Sequence, residues 1–156
     1  MTEVALRPET AEDEGLSRAI YASTREEEMA RVPWSDEQKA AFVSMQFEAQ
    51  RSYYREVYPD ADFSVVVVDG ADAGRLYVDR SSEEIRVVDI AVLPAFRGRG
   101  IGGTLLAAVL DEARETGRTV VIHVELMNRA RTLYDRLGFV PVEEAGVYLR
   151  MEWTPS

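Results

Sequence analysis

Apolar and polar positions follow two different periods along this chain, and the switches between them outline its elements. Alternation in "EVALR" predicts a short first strand. From Thr10, with Asp13 as its capping partner, the spacing lengthens: Leu16, Ala19 and Ile20 form the apolar stripe of a helix. Pro33 interrupts, and Ser35 with Gln38 makes a second capping box ahead of Phe42, Met45, Ala49 and Tyr53. After Pro59 the pattern returns to strands: "FSVVVV", a turn at "DGADAG", "RLYV", a turn at "DRSSEE", and "IRVVDIAVL", which Pro94 ends. Ile101, Leu105, Val109 and Ala113 mark one face of the next helix, and Gly117 stands where a C-terminal cap belongs. "TVVIHVE" is a β-branched strand, Asn128 to Leu137 a short helix stopped by Gly138, and "FVPVE" and "VYLRMEW" the closing strands. The order β-α-α-β-β-β-α-β-α-β-β predicts an α/β fold, helices packed on one mixed sheet.

Composition narrows the class. A chain of 156 residues without repeats or long linkers suits one domain spanning 1–156. Its 46% apolar and 29% charged residues are those of a soluble globular protein. With no cysteine, neither a disulfide framework nor a thiolate metal site can form. The opening "MTEVALRPETAEDEG" lacks the basic and then apolar order of a secretory leader, and runs such as "VVVV" at 65–68 are far too short to span a bilayer. The expected location is the cytoplasm. A net charge of −10 argues against nonspecific binding to nucleic acid or to an anionic membrane. Any polyanionic ligand then depends on a local positive patch.

One stretch supplies such a patch. "AFRGRGIGGTLL" sets glycines and arginines directly before an apolar helix. Gly98, Gly100 and Gly103 satisfy G-x-G-x-x-G, the dinucleotide fingerprint, and Glu125 follows at about the distance of a ribose-binding acid. In a dinucleotide fold, however, the glycine turn follows its strand at once, whereas "LPAFR" intervenes here. Too little chain remains for a doubly wound sheet, and no Gly-Lys-Ser/Thr completes a phosphate loop. The same residues also read R-x-x-G-x-G from Arg97 to Gly102.

That second pattern carries a resemblance. "DIAVLPAFRGRGIGGTLL", followed by "HVELMNRARTLYDRLGF", resembles the core of the GNAT superfamily of acyl-CoA-dependent N-acetyltransferases, most strongly over residues 87–139. The resemblance implies a central mixed, mostly antiparallel sheet flanked by helices on both faces, with acetyl-CoA as cosubstrate and no metal. The opening turn of a helix offers unpaired N–H groups and the positive end of its dipole to a pyrophosphate. Gly98, Gly100, Gly102 and Gly103 would let main chain approach the phosphates, with Ile101 in the same turn and Arg97 and Arg99 adding charge. A glycine-rich turn with solvated arginines is the plainer explanation. By the same resemblance Ile90, Ala91 and Val92 pair with the pantetheine amides as a neighbouring strand would, and the Val92 N–H polarises the thioester carbonyl.

The resemblance also distributes roles among side chains. Tyr134 matches the tyrosine that protonates the departing thiolate; a phenol with pKa near 10 can serve a thiolate whose conjugate acid lies near 8.5. It also belongs to an ordinary apolar stripe with Ala130, Leu133 and Leu137. Asn128 matches a contact to the pantetheine arm and equally suits a helix N-cap. Arg129 and Arg131 are placed to meet nucleotide phosphates or simply solvent. His123, the only histidine, occupies a position where some relatives carry a glutamate general base; Glu125 and a water relay are its rivals. The stretch 25–58, with Trp34, Tyr53, Tyr54 and Tyr58, is expected to help line the acceptor pocket, and Glu26, Glu27 and Glu28 either attract a cationic amine or form a solvated face. The expected activity is transfer of acetyl to a primary amine, small molecule or peptide, by direct attack in a ternary complex. A homodimer is open. The alternative is a catalytically silent acyl-CoA-binding sensor or docking module.

Overall fold

Val4–Pro8 (β1), Asp62–Val68 (β2), Ala71–Arg80 (β3), Glu84–Val92 (β4), Thr119–Glu125 (β5), Val140–Ala145 (β6) and Tyr148–Trp153 (β7) join into one sheet in the order β1-β2-β3-β4-β5-β7-β6. The structure is a computed structural model and describes residues 2–126, 128 and 130–156. β4 and β5 run parallel, and the other neighbouring strands pair antiparallel. The sheet is therefore mixed and mostly antiparallel. Among the described residues no helix is long and apolar enough to cross a membrane.

Helices cover both faces. Glu14–Thr24 (α1), Glu26–Ala30 (α2) and Asp36–Val57 (α3) lie on one, Ile101–Thr116 (α4) and Arg131–Leu137 (α5) on the other. Strand alternation sorts the side chains between them. Leu76 and Val78 of β3, Val87 of β4 and Ile122 of β5 join Leu105, Leu106 and Val109 of α4 in the larger core. Tyr77, between Leu76 and Val78, turns the other way and meets Ser17 of α1 at 3.1 Å. A smaller core of Tyr21, Met29, Val43 and Phe47 ties α1, α2 and α3 together.

The capping signals act as their chemistry requires. The Gln38 N–H donates to Ser35 Oγ at 3.1 Å and the Ser35 N–H to Gln38 Oε1 at 2.9 Å, which starts the 22-residue α3. Thr10 and Asp13 form the other box, with Asp13 also held by Arg7 at 2.8 Å. Gly117 and Gly138 end α4 and α5 with φ of 68° and 100°. Some element boundaries differ from the periodicity. The first helical stretch is two helices that break at Arg25, whose side chain turns inward onto Tyr21. β3 starts at Ala71 rather than after Gly74, because the Asp69–Gly70 turn, with φ of 49° and 83°, already closes a tight hairpin.

Gly74 is inside a strand for a steric reason. A Cβ there would stand 2.2 Å from the Ala91 carbonyl oxygen on β4. Glycine alone lets β3 and β4 approach this closely. Gly74→Ala is accordingly expected to destabilise the fold by about 3 kcal/mol, at the upper end of overpacking costs, read from denaturant unfolding.

Candidate active site

The only parallel pair in the sheet is also the shortest relative to its strands. β4 and β5 pair over Glu84–Val87 and Thr119–Ile122 and then part. On the opposite side of β4, Tyr77 stands across from Asp89 and Val78 across from Val87, so Val88 is an extra, bulged residue. The bulge increases the local twist and turns the end of β4 away from β5. The Leu93 N–H donates to the Ala73 carbonyl at 2.8 Å, and alternation then directs the main-chain groups of Ile90 and Val92 into the gap. Ile90, Ala91 and Val92 are half-buried there. An unpaired strand edge in a cleft can take hydrogen bonds from an extended ligand.

The glycine loop closes the mouth of the gap. Gly98 and Gly100 both adopt φ of 76°, and no atom lies within 4 Å of where their Cβ would be. Gly100 occupies the N-cap position of α4 and has no side chain to cap it. The first N–H groups of α4 are therefore offered outward. Gly102 and Gly103 are placed differently. They are helical, and a Cβ on them would stand 3.4 and 3.7 Å from Leu133 of α5, ordinary contact distances.

The arginines divide. Arg97 is a brace: its Nε donates to the Val92 carbonyl at 2.9 Å and its Nη2 to Ser23 Oγ at 3.3 Å, tying the end of β4 to the last turn of α1. Arg99 is exposed, its guanidinium 5.4 Å from the centre of the Phe96 ring. Arg131 pairs loosely with Asp135 at 4.0 Å, and Arg129 lies outside the described residues. Asn128 is exposed and its Oδ1 accepts from the Ala130 N–H at 2.8 Å, a capping contact ahead of α5, which begins at Arg131 rather than at Asn128.

Tyr134 is buried. The residue is 5% exposed and stacks edgewise on Phe139, and its hydroxyl hydrogen-bonds no described residue. Burial, and then the negative charge of Asp89, push the phenol up to about 12. It stays protonated throughout the neutral range.

Asp89, which sequence reasoning passed over, is two residues beyond the parting of the strands. Its Oδ2 accepts from Arg75 Nη2 at 2.8 Å and from the Tyr54 hydroxyl at 3.0 Å. Arg75 is 2% exposed and is held further by Gln50 Oε1 at 2.8 Å and Ser17 Oγ at 3.3 Å. The sequence did carry a signal: one acid in "VVDIAVL" and one arginine in "AGRLYV" interrupt strands that are otherwise apolar. Buried charges in central strands demand partners.

The base candidates are engaged. His123 is exposed, and its Nδ1 lies 3.1 Å from Arg86 Nη1, which can only donate. Partial burial of the ring, then the charges of Arg86 and Arg150, lower its pKa. Glu125 pairs with Arg25 at 3.2 Å. Of the aromatic residues expected around the acceptor, Tyr54 faces Asp89, whereas Trp34 packs on Phe42 and Tyr53 is 55% exposed. Glu28 pairs with Arg25 at 3.7 Å across the α1–α2 break. Among the described residues no group of three or more histidines or acids is placed to hold a metal ion.

Known proteins share both the motifs and the architecture. A [Ribosomal protein bS18]-alanine N-acetyltransferase from Haemophilus influenzae is 36% identical over 62 residues, which cover 39% of this chain and 42% of that protein. An uncharacterized N-acetyltransferase from Methanocaldococcus jannaschii is 30% identical over 135 residues, 70% of this chain and 60% of that one. The chain thus spans about half the length of these relatives. Among solved structures, a PaiA N-acetyltransferase from Thermoplasma acidophilum in complex with coenzyme A superposes with a TM-score of 0.72 at 17% identity, over 97% of this chain and 99% of that one. The family model for the acetyltransferase (GNAT) domain matches residues 59–141, from the start of β2 through the glycine loop to α5 and the start of β6; the chain belongs to the GNAT acetyltransferase family.

Proposed function

We propose that this protein transfers acetyl from acetyl-CoA to a primary amine by direct attack in a ternary complex. The observation that carries this reading is the parting of β4 from β5 ahead of the glycine loop and the uncapped start of α4, with the protonated phenol of Tyr134 in the core against which Ile90 and Val92 pack. The site fits the cosubstrate: a strand edge that β5 leaves unpaired, a left-handed glycine loop with open space around it, and an uncapped helix start. Acetyl-CoA supplies the activated acyl carbon. Ile90 and Val92 hold the pantetheine arm, with Ala91 between them turned to β3, the Val92 N–H donates to the thioester carbonyl, and Asn128 offers its amide NH2. Gly98, Gly100 and the first turn of α4, Ile101 to Gly103, receive the pyrophosphate with help from Arg99. Arg97 acts on the loop's shape more than as a free charge, since two of its three nitrogens are committed to protein oxygens.

As the amine nitrogen bonds to the carbonyl carbon, the bond from carbon to sulfur breaks and Tyr134 gives its proton to sulfur. His123, whose pKa is lowered, takes the proton shed by the amine through solvent, on the Nδ1 that otherwise accepts from Arg86. Glu125 is less available, tied as it is to Arg25. The relative from Haemophilus influenzae is named for a protein N-terminal alanine, so an alanine-initiated hexapeptide belongs in the acceptor panel beside butylamine, spermidine and glycinamide.

A CoA-release assay over this panel, with mass spectrometry of the products, tests the reaction. Acetyl-CoA at about a hundred times its Kd adds about 2.7 kcal/mol to stability and should raise Tm by at least roughly 5 °C, with no comparable shift from NAD. Gly100→Asp should abolish that shift. Asp tolerates the left-handed backbone better than most residues, so the fold survives while a charge blocks the phosphates. If acetyl-CoA binds and no amine is acetylated, a silent acyl-CoA-binding module replaces the enzyme.

Tyr134→Phe should lower kcat by roughly ten- to a thousandfold while the acetyl-CoA shift in Tm persists. A wild-type kcat with a slow amine removes Tyr134 from the chemistry. The pH profile separates the bases. Because burial and two arginines depress the His123 pKa, activity should rise with pH along a limb whose midpoint lies below 6.5. His123→Ala should flatten that limb and Glu125→Ala should leave it; the reverse pattern moves the role to Glu125.

A further inference from the structure

We infer that the free carboxylate oxygen of Asp89 is the anchor for the acceptor's nitrogen, which makes the acceptor class a primary alkylamine that arrives as its ammonium ion. The inference rests on the acetyltransferase reading and goes beyond it by naming the charge state the site selects and the residue that selects it.

Three observations carry it. Asp89 sits on the stretch of β4 that has lost its strand partner, two residues past the parting at Val87, with its side chain on the face covered by α1 and α3. That face is opposite the one that carries α4 and α5, so an acceptor arriving there meets the cleft from the other side of the sheet. Next, the carboxylate is fixed from behind. Arg75 and Tyr54 both bond Oδ2, while Oδ1 bonds no described residue, and the side chain as a whole is 12% exposed. One oxygen is spent on orientation and the other is presented. Finally, Tyr134 belongs to the core against which the next residue of β4, Ile90, packs, and the negative charge of Asp89 is felt at its hydroxyl.

A fixed, half-desolvated carboxylate oxygen favours a donor that carries charge over a neutral alcohol or thiol. It accepts one N–H of the ammonium group. Once solvent has removed a second proton, the remaining N–H contact orients the nitrogen lone pair toward the carbonyl carbon. Among the described residues no other cation bonds this oxygen. Arg75 is turned to Oδ2, Gln50 and Ser17, and Arg25 is held by Glu125 and Glu28.

The test uses the panel amine that the wild-type protein acetylates fastest. Asp89→Asn should raise the KM for that amine by about tenfold or more, the scale of a lost hydrogen bond to a charged group, while the KM for acetyl-CoA stays within about twofold. The wild-type amine KM should rise with added sodium chloride, and the variant should lose that dependence. A merely structural role moves both KM values and leaves the salt response intact. Asp89→Asn strands the buried Arg75, so the double variant Asp89→Asn/Arg75→Gln, which removes the charge together with its counter-ion, serves if the single one fails to fold. An unchanged amine KM in either folded variant, or equal changes in both KM values, overturns the assignment of Asp89 and leaves the acetyltransferase reading standing. Absence of any amine turnover by the wild-type protein overturns both.

Discussion

The parting of β4 from β5 is the constraint on which the rest of this structure depends. Parallel strands tend to be buried and paired along their length, and here the pairing stops at Val87 and Ile122. The cause is local. One extra residue, Val88, is absorbed on the β3 side, while Gly74 keeps β3 pressed against Ala91 so that the bulged strand cannot relax back. The two limbs then need support from outside the sheet. α4 and α5 provide it below, where Leu133 lies against the first turn of α4.

Support on the other face is ionic rather than apolar. Arg75 and Asp89 form a pair with side-chain exposures of 3% and 12%. A hydrophobic pair of similar size is often as stable or more so, whereas removing one partner of a buried pair costs roughly 3–5 kcal/mol. Stability alone therefore gives a weak reason for placing these charges in central strands. An oriented carboxylate at the cleft gives a stronger one. The network also fixes α3 against the sheet through Tyr54 and Gln50, so the acceptor side is held by the same groups that hold the charge.

Much of this was legible in the chain. Periodicity found each of the strands, and the capping boxes at Thr10 and Ser35 and the stops at Gly117 and Gly138 marked helix ends, because these signals are local. The glycine loop and the Tyr134 helix were readable for the same reason. What escaped was the non-local part. Nothing near Arg97 says that its guanidinium spans to Ser23, and nothing near Gly102 says that Leu133 lies over it. The pairing of Arg75 with Asp89 joins residues on neighbouring strands whose register depends on the bulge. A histidine in "VVIHVE" reads as a free base, and only the fold sets Arg86 against its Nδ1.

The Arg97 brace has a thermodynamic side. One guanidinium holds a carbonyl at the end of β4 and, with another nitrogen, the hydroxyl of Ser23 near the end of α1, so the strand edge and the helix above it share a tether. A molecule that competes for the Val92 carbonyl loosens α1, and one that shifts α1 frees that carbonyl. Such linkage is reciprocal by necessity: whatever factor the first ligand imposes on the affinity of the second, the second imposes on the first.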